Sequence, residues 1–191
     1  HVELQGKKEP DFEERIFIYS YRIFDRYKRK TASCIILTDA NNEWRPKEFG
    51  YNLFGSEIKF SFPVVKLIDY ASKMDELGID SNPFSIVVMA HLKTLATKGN
   101  NQDRFYWKYE LTKSLYSRGY EKQDILELFR FIDWIMVLPK ELSSQFIEKV
   151  YKYEEEQHMP YVTTVEKRGI EKGFKQGIQQ GIQKGELKNL K

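Results

Sequence analysis

Glu3 and Gln5 are the two residues in the first segment of the chain whose types and spacing could do chemistry. They lie in Val2-Glu3-Leu4-Gln5, where polar and apolar residues alternate, and this alternation predicts a β-strand. Because alternate side chains of a strand point to the same face, we expect Glu3 and Gln5 to project side by side. The carboxylate could ligate Mg²⁺, and the amide could orient water or a phosphate. In a hydrolase that cuts phosphodiesters, such a strand can hold one metal ligand beside a group that positions water or phosphate.

A second carboxylate is normally needed at such a site, because Mg²⁺ prefers several hard oxygen ligands. Only His1 and Val2 precede Glu3, so we expect half of the metal site to be missing from this chain. A simpler interpretation is that Glu3 and Gln5 are ordinary polar residues on the solvent face of a strand. The two residues alone do not decide between these interpretations.

A helix is expected to follow the strand and to position its side chains. Pro10 and Asp11 mark the start, and five apolar residues at helical spacing form a stripe that we expect to face the core: Phe12, Ile16, Tyr19, Ile23 and Tyr27. Residues 32–38 predict a buried strand, and residues 58–62 predict a second strand that ends at Pro63. An α/β region is therefore expected to close at about residue 68.

Arg15, Arg22 and Arg26 form a row along one side of that helix, because their spacing places them within about 40° of one another. Together with Lys7 and Lys8 after the strand, this row could hold the phosphates of DNA near Glu3. The alternative is a solvated helix face whose arginines pair with neighbouring acids. Both interpretations stay open from the pattern alone.

The pattern of the following region predicts helices at about 84–97, 103–118, 121–137 and 140–157. The third of these has a wide apolar face, which is typical of a helix packed in a bundle; its residues are Leu126, Phe129, Ile132, Ile135 and Met136. We expect this region to serve in packing or in contact with a partner.

The last segment has a glycine at every fourth position, followed each time by Ile or Phe in the first four repeats: Gly169, Gly173, Gly177, Gly181 and Gly185. Five glycines weaken an isolated helix by about 4–5 kcal/mol, so this segment should need a partner to become ordered. It predicts either self-association through close helix contacts or a polar, disordered linker.

Composition and the absence of certain motifs argue against several classes of protein. The net charge of +3 is too small to indicate nucleic-acid binding by itself, so any DNA-binding surface must be local. Cys34 is the single cysteine, and the three histidines have no zinc-site spacing. No phosphate-binding Gly-x-x-x-x-Gly-Lys-Ser/Thr loop, signal peptide or membrane-length apolar run is visible, so we expect a cytoplasmic protein that is not an ATPase.

Several motifs, in order along nearly the whole chain, resemble the recombination-promoting nuclease (Rpn) family. These are transposase-like proteins of the PD-(D/E)XK nuclease superfamily. The motifs follow Glu3-Leu4-Gln5 in this order: residues 9–27, Phe49-Gly50-Tyr51, Asn82-Pro83-Phe84, Ile132-Asp133-Trp134, Leu138-Pro139, Pro160-Tyr161-Val162-Thr163 and the glycine-spaced tail.

This resemblance implies a fold and an activity. The chain would contain a truncated PD-(D/E)XK α/β core at 1–68, an all-α region at 69–162 and a glycine-repeat tail at 163–191. It would be a Mg²⁺-dependent DNA endonuclease with Glu3 as metal ligand and Gln5 as a catalytic partner. The family's upstream Asp has no matching position here, so catalysis is expected to be incomplete. The alternative is a non-catalytic DNA-binding or self-assembly module, which forms a homo-oligomer through the helical region and the tail.

Overall fold

The protein is a mixed α/β chain, and its computed structural model describes residues 1–162. The chain divides into two compact units, one of His1–Asp80 and one that begins at Ser81. The boundary thus falls after residue 80, whereas the sequence pattern placed it after residue 68. The predicted tail at 163–191, with its expected role in self-association, lies outside the described residues.

The first unit contains a parallel sheet and an antiparallel hairpin. In chain order its elements are β1 (Val2–Gln5), α1 (Phe12–Tyr27), β2 (Cys34–Leu37), β3 (Glu48–Leu53), β4 (Ser56–Ser61), β5 (Val64–Lys66), a 3₁₀ helix (Leu67–Lys73) and α2 (Met74–Ile79). The sheet has the order β1-β2-β5 with both pairings parallel, and β3 pairs with β4. The strands predicted at 32–38 and 58–62 are confirmed, while β3 and β5 were not predicted.

Helix α1 covers one face of the parallel sheet. Its Phe12 and Ile16 are fully buried against Ile35 and Leu37 of β2, and the cluster is completed by Trp44 and Phe62. Because the strand register sets Glu3 beside Ile35 and Gln5 beside Leu37, Glu3 and Gln5 share this covered face. The prediction that the two residues project side by side is therefore confirmed.

The expected apolar stripe of α1 reaches the core only in its first turns. Tyr19 was predicted as a core residue, but it is 36% exposed and its ring meets the edge of the His1 ring. Tyr27 is also exposed, and Ile23 is only partly buried. The prediction was wrong here because α1 is about 24 Å long, at 1.5 Å per residue, whereas the four-residue β1 spans about 13 Å. The last turns of α1 extend past the strand.

The opposite face of β1 carries apolar side chains. Val2 and Leu4 point away from Glu3 and Gln5, as predicted, and they are 62% and 65% exposed. They lie beside Cys34 and Ile36 of β2, which also face this side and are partly buried. The polar residues of β1 thus face the helix, and its apolar residues face outward.

The hairpin β3–β4 packs on α1 through aromatic rings, one pair stacked and one pair edge-on. Phe17 of α1 lies 5.2 Å from Phe49 and 5.7 Å from Phe60, measured between ring centroids. Gly50 permits the close pairing of the two strands, because a Cβ at this position would lie 2.7 Å from the carbonyl oxygen of Ile58. The hairpin therefore forms a wall beside the middle of α1.

A buried ion pair holds the carboxyl ends of β2 and β5 together. The ammonium of Lys66 lies 2.8 and 3.0 Å from the two carboxylate oxygens of Asp39, and it also donates to the carbonyl oxygen of Trp44 at 3.2 Å. Both charged side chains are buried. Such a pair is costly to break, because the remaining charge is left without a partner in a poorly solvated place.

Over the described residues 81–162 the second unit is a bundle of four long helices, α3 (Pro83–Ala96), α4 (Asn101–Ser117), α5 (Lys122–Ile135) and α6 (Lys140–Glu156). All four helices were predicted to within two residues at each end. The apolar face of α5 is also confirmed, since Leu126, Phe129 and Ile132 are buried. Within residues 1–162 no helix combines the length and the apolarity that crossing a membrane would require.

Breaking the Asp39–Lys66 pair should destabilise the first unit. We expect Lys66→Met to lower its free energy of unfolding by about 3–5 kcal/mol, because Asp39 is left buried and unpaired. Urea unfolding, followed by the NMR signals of amides in β2, measures this change. The double variant Asp39→Asn, Lys66→Met should recover part of the loss. The exposed pair of Lys59 with Glu48 supplies the control, since Lys59→Met should cost less than about 1 kcal/mol.

Candidate functional site

A polar cluster lies between β1 and α1, where the covered face of the strand meets the first turns of the helix. Its members are Glu3 and Gln5 from β1, Glu9 from the connecting loop, Arg15 from α1, and His1. The loop that connects β1 to α1 is short, so α1 folds back over the strand that precedes it. The loop and helix therefore bring the charges of residues 9 and 15 onto the two polar side chains of β1.

Gln5 is bonded at both ends of its amide. Its nitrogen donates to the carbonyl oxygen of Lys7 at 2.7 Å, and its oxygen accepts from the Nη2 group of Arg15 at 2.9 Å. The side chain is also buried. In this arrangement Gln5 fixes the guanidinium of Arg15 and the start of the loop. Its amide would have to leave these partners before it could orient a water molecule or a phosphate.

Arg15 is the hub of the cluster. Its Nη1 group donates to Glu9, its Nη2 group lies 3.6 Å from Oε1 of Glu3, and its guanidinium lies 5.3 Å from the centre of the Phe12 ring. The hydrogen bond from Arg15 lowers the pKa of Glu9, and the same bond raises the pKa of Arg15. Both groups therefore stay charged, and the guanidinium lies between two carboxylates.

Glu3 is held more loosely than Glu9. One carboxylate oxygen lies 3.5 Å from Nε2 of His1, and the other faces Arg15 at 3.6 Å. Both distances exceed those of ordinary charge-assisted hydrogen bonds, which are about 2.7–2.9 Å. The side chain of Glu3 is partly exposed, so its oxygens remain accessible to a further ligand.

These residues do not fit a complete Mg²⁺ site. In the described part of the chain no three His, Cys, Asp or Glu side chains come together as a metal-binding group. The acid nearest to Glu3 in this cluster is Glu9, and the guanidinium of Arg15 takes the place between them that a cation would need. Glu3 could contribute one ligand, but the remaining ligands are absent from the cluster.

The predicted row of arginines divides into two parts. Arg15 faces the sheet, whereas Arg22 and Arg26 are exposed on the last turns of α1. The reason is again the length of α1, because only its first half lies over β1. The three arginines share a helix side, as predicted, but they do not share an environment.

Lys7 and Lys8 lie in the loop after β1 and are exposed. The ammonium of Lys7 lies 3.8 Å from Glu9, which is a weak contact for an exposed pair. These lysines flank the polar cluster at the carboxyl end of β1. Arg22 and Arg26 lie toward the opposite end of that strand, because α1 runs back along it and places Tyr19 beside His1.

Sequence reasoning did not assign Glu9 or His1 to this cluster. Glu9 could have been noticed from its position just before the start of α1, because acids are favoured near a helix N-terminus. His1 has no such signal, since its neighbour Ser33 comes from a distant segment and meets it only through the pairing of β1 with β2.

The pKa of Glu9 should depend on Arg15. In Arg15→Gln we expect the pKa of Glu9 to rise toward the ordinary value of a glutamate, because its main hydrogen-bond donor is lost. NMR titration of the Glu9 side chain measures the change. Since the pKa is lowered in the folded state, the stability that this pair contributes is present at neutral pH and lost as the pH falls. Lys7→Gln is the control and should shift this pKa less.

Comparison of the chain with family models, with curated proteins and with solved structures finds no match in any of the three.

Proposed function

We propose that this chain is a DNA-binding unit of the PD-(D/E)XK nuclease type. Glu3 would be one carboxylate of a Mg²⁺-dependent DNA endonuclease site of the transposase-like, recombination-promoting kind, and the described residues leave that site incomplete. The observation that carries the DNA-binding part is the exposed basic end of α1. The resemblance in the motifs of the chain carries the nuclease part.

The last turns of α1 and the segment just after it concentrate positive charge. Residues 21–31 contain five basic residues and one acid, a net charge of +4, although the whole chain has only +3. All five bases are exposed: Arg22, Arg26, Lys28, Arg29 and Lys30. The single acid, Asp25, pairs with Lys28 at 2.7 Å. Among the described residues no carboxylate pairs with the other four.

Such a cluster is suited to the DNA backbone. Phosphate contacts are made by exposed Arg and Lys side chains, and they need no base-reading geometry. A helix C-terminus already favours cations, which accounts for one or two of them. Only Arg22 and Arg26 of the five bases lie on α1, and Lys28, Arg29 and Lys30 follow it. A net charge of +4 over residues 21–31 exceeds what the helix dipole needs, so we assign the excess to an anionic partner.

The β1–α1–β2 arrangement is compatible with the nuclease part of the proposal. Glu3 lies on a strand, its carboxylate is accessible, and the helix that follows the strand carries the basic patch. A second carboxylate would have to join Glu3 before a metal ion could be held. With the residues described, the chain is expected to bind DNA and not to cut it.

Neutralising the end of α1 should weaken DNA binding. We expect Arg22→Gln, Arg26→Gln to lower the affinity for duplex DNA and to reduce the slope of log K against log salt concentration by about 2, since two phosphate contacts are lost. Fluorescence anisotropy with a labelled duplex at several salt concentrations measures both quantities.

The matched control for this experiment removes the same charge from the second unit. Arg130 and Lys152 are exposed there, and Arg130→Gln, Lys152→Gln should leave the salt slope nearly unchanged. An equal loss of affinity in the two double variants would contradict the assignment of the basic patch on α1.

Any metal-dependent cleavage should depend on Glu3. Plasmid nicking is measured with Mg²⁺ and with EDTA, for the chain and for Glu3→Ala, and Glu57→Ala on the exposed hairpin is the control. Nicking that requires Mg²⁺ should be lost in Glu3→Ala alone, because this acid is the only ligand candidate on β1. Nicking that persists in Glu3→Ala would contradict its role. If all three proteins bind DNA and none of them nicks the plasmid, the chain binds DNA without cutting it. The enzyme part of the proposal would then be rejected.

A further inference from the structure

A groove of about 310 Å³ opens between α1, the segment that follows it and strand β4. Four aromatic rings and three polar side chains line it: Phe17, Tyr21, Phe24, Phe60, Ser20, Lys30 and Thr31. All of these residues belong to the first unit. The volume is at the small end of the ~300–1,000 Å³ that is common for ligand pockets, so it suits one flat group and not a base pair.

The rings of the groove have a definite arrangement. Phe17, Tyr21 and Phe24 are spaced four and three residues apart, so they lie on one side of α1. Phe17 packs edge-on against Phe60, while Tyr21 and Phe24 remain 58% and 49% exposed. These exposed rings lie beside the partly buried rings of Phe17 and Phe60, and together they form a surface on which a planar group can stack.

Ser20 provides a hydrogen-bonding group in the groove. It is only 7% exposed, and it lines the groove. A serine hydroxyl can both donate and accept a hydrogen bond. A ligand with a polar edge can therefore bond to it.

The positive charge at the groove favours an anionic ligand. Lys30 lines the groove, and Arg22, Arg26 and Arg29 lie within the same charged segment of the chain. A ligand that satisfies the whole groove is therefore planar, has a polar edge and is attached to anionic groups. An unpaired nucleotide of DNA has these three properties, since its base stacks and its phosphates meet the cations.

We propose that this groove binds one unpaired base of single-stranded DNA. Tyr21 and Phe24 stack with the base, the hydroxyl of Ser20 bonds its edge, and Lys30 contacts an adjoining phosphate. This inference rests on the proposed DNA binding and adds the form of DNA that is preferred. The exposed basic residues of 21–31 bind the backbone of both single-stranded and duplex DNA. The groove distinguishes the two, because it accepts an unpaired base and not a paired one.

The test compares single-stranded and duplex DNA of the same length, using fluorescence anisotropy and the full chain. Tyr21→Ala and Phe24→Ala should each weaken single-strand binding by about 5- to 100-fold, because one stacking contact is removed. Duplex binding should change by less than about twofold. Ser20→Ala should weaken single-strand binding by about 2- to 10-fold, as expected for one hydrogen bond.

Tyr27→Ala is the matched control. Tyr27 is an exposed aromatic residue on the same helix that does not line the groove, so its removal should leave the preference for single strands unchanged. Since Tyr21 and Phe24 are half exposed, the variants should keep the circular dichroism spectrum of the parent chain.

Three outcomes would overturn the inference, and they differ in what they say about DNA binding. If duplex binding is salt-sensitive and single-strand binding is unchanged in Tyr21→Ala and Phe24→Ala, only the groove proposal is rejected. Absence of binding to either DNA would reject the groove together with the proposed function. Unchanged DNA binding with a lower mass of the assembly in Phe24→Ala, measured by light scattering, would assign the groove to a protein partner.

Discussion

The packing of α1 on one face of the parallel sheet is the contact on which the rest of the first unit depends. Phe12 and Ile16 are fully buried against Ile35 and Leu37, and a parallel sheet of three short strands needs such a cover to be stable. This one contact decides which face of β1 is covered. It thereby brings Glu3 and Gln5 under Arg15 and leaves Val2 and Leu4 facing outward.

Because α1 is longer than β1, the two parts of this helix have different surroundings. Where the helix lies over the strand, its arginine is enclosed by acids and an amide. Where the helix extends past the strand, its arginines face solvent and its aromatic residues border a groove closed by the hairpin. The first region is neutralised internally, whereas the second keeps an excess of positive charge for an external partner.

The polar cluster shows why two suitable residues do not make a metal site. Glu3 and Gln5 have the predicted strand, face and proximity, but the groups around them decide what they can do. The guanidinium of Arg15 balances the negative charge of Glu3, which a metal ion would otherwise balance. It also donates a hydrogen bond to the amide oxygen of Gln5. A further acid brought to Glu3 would change this balance, because three carboxylates and one guanidinium leave room for further positive charge.

Periodicity and capping residues in the sequence determined much of this protein. The helices of the second unit, the first strand and the shared face of Glu3 and Gln5 all follow from local spacing and from starts such as Asn82-Pro83. Tertiary structure decided how far α1 is covered, so Tyr19 and the arginine row could not be assigned correctly from spacing. It also decided the Asp39–Lys66 pair and the aromatic groove. Their members are distant in sequence and meet only because strands pair in parallel and a hairpin folds back onto the helix.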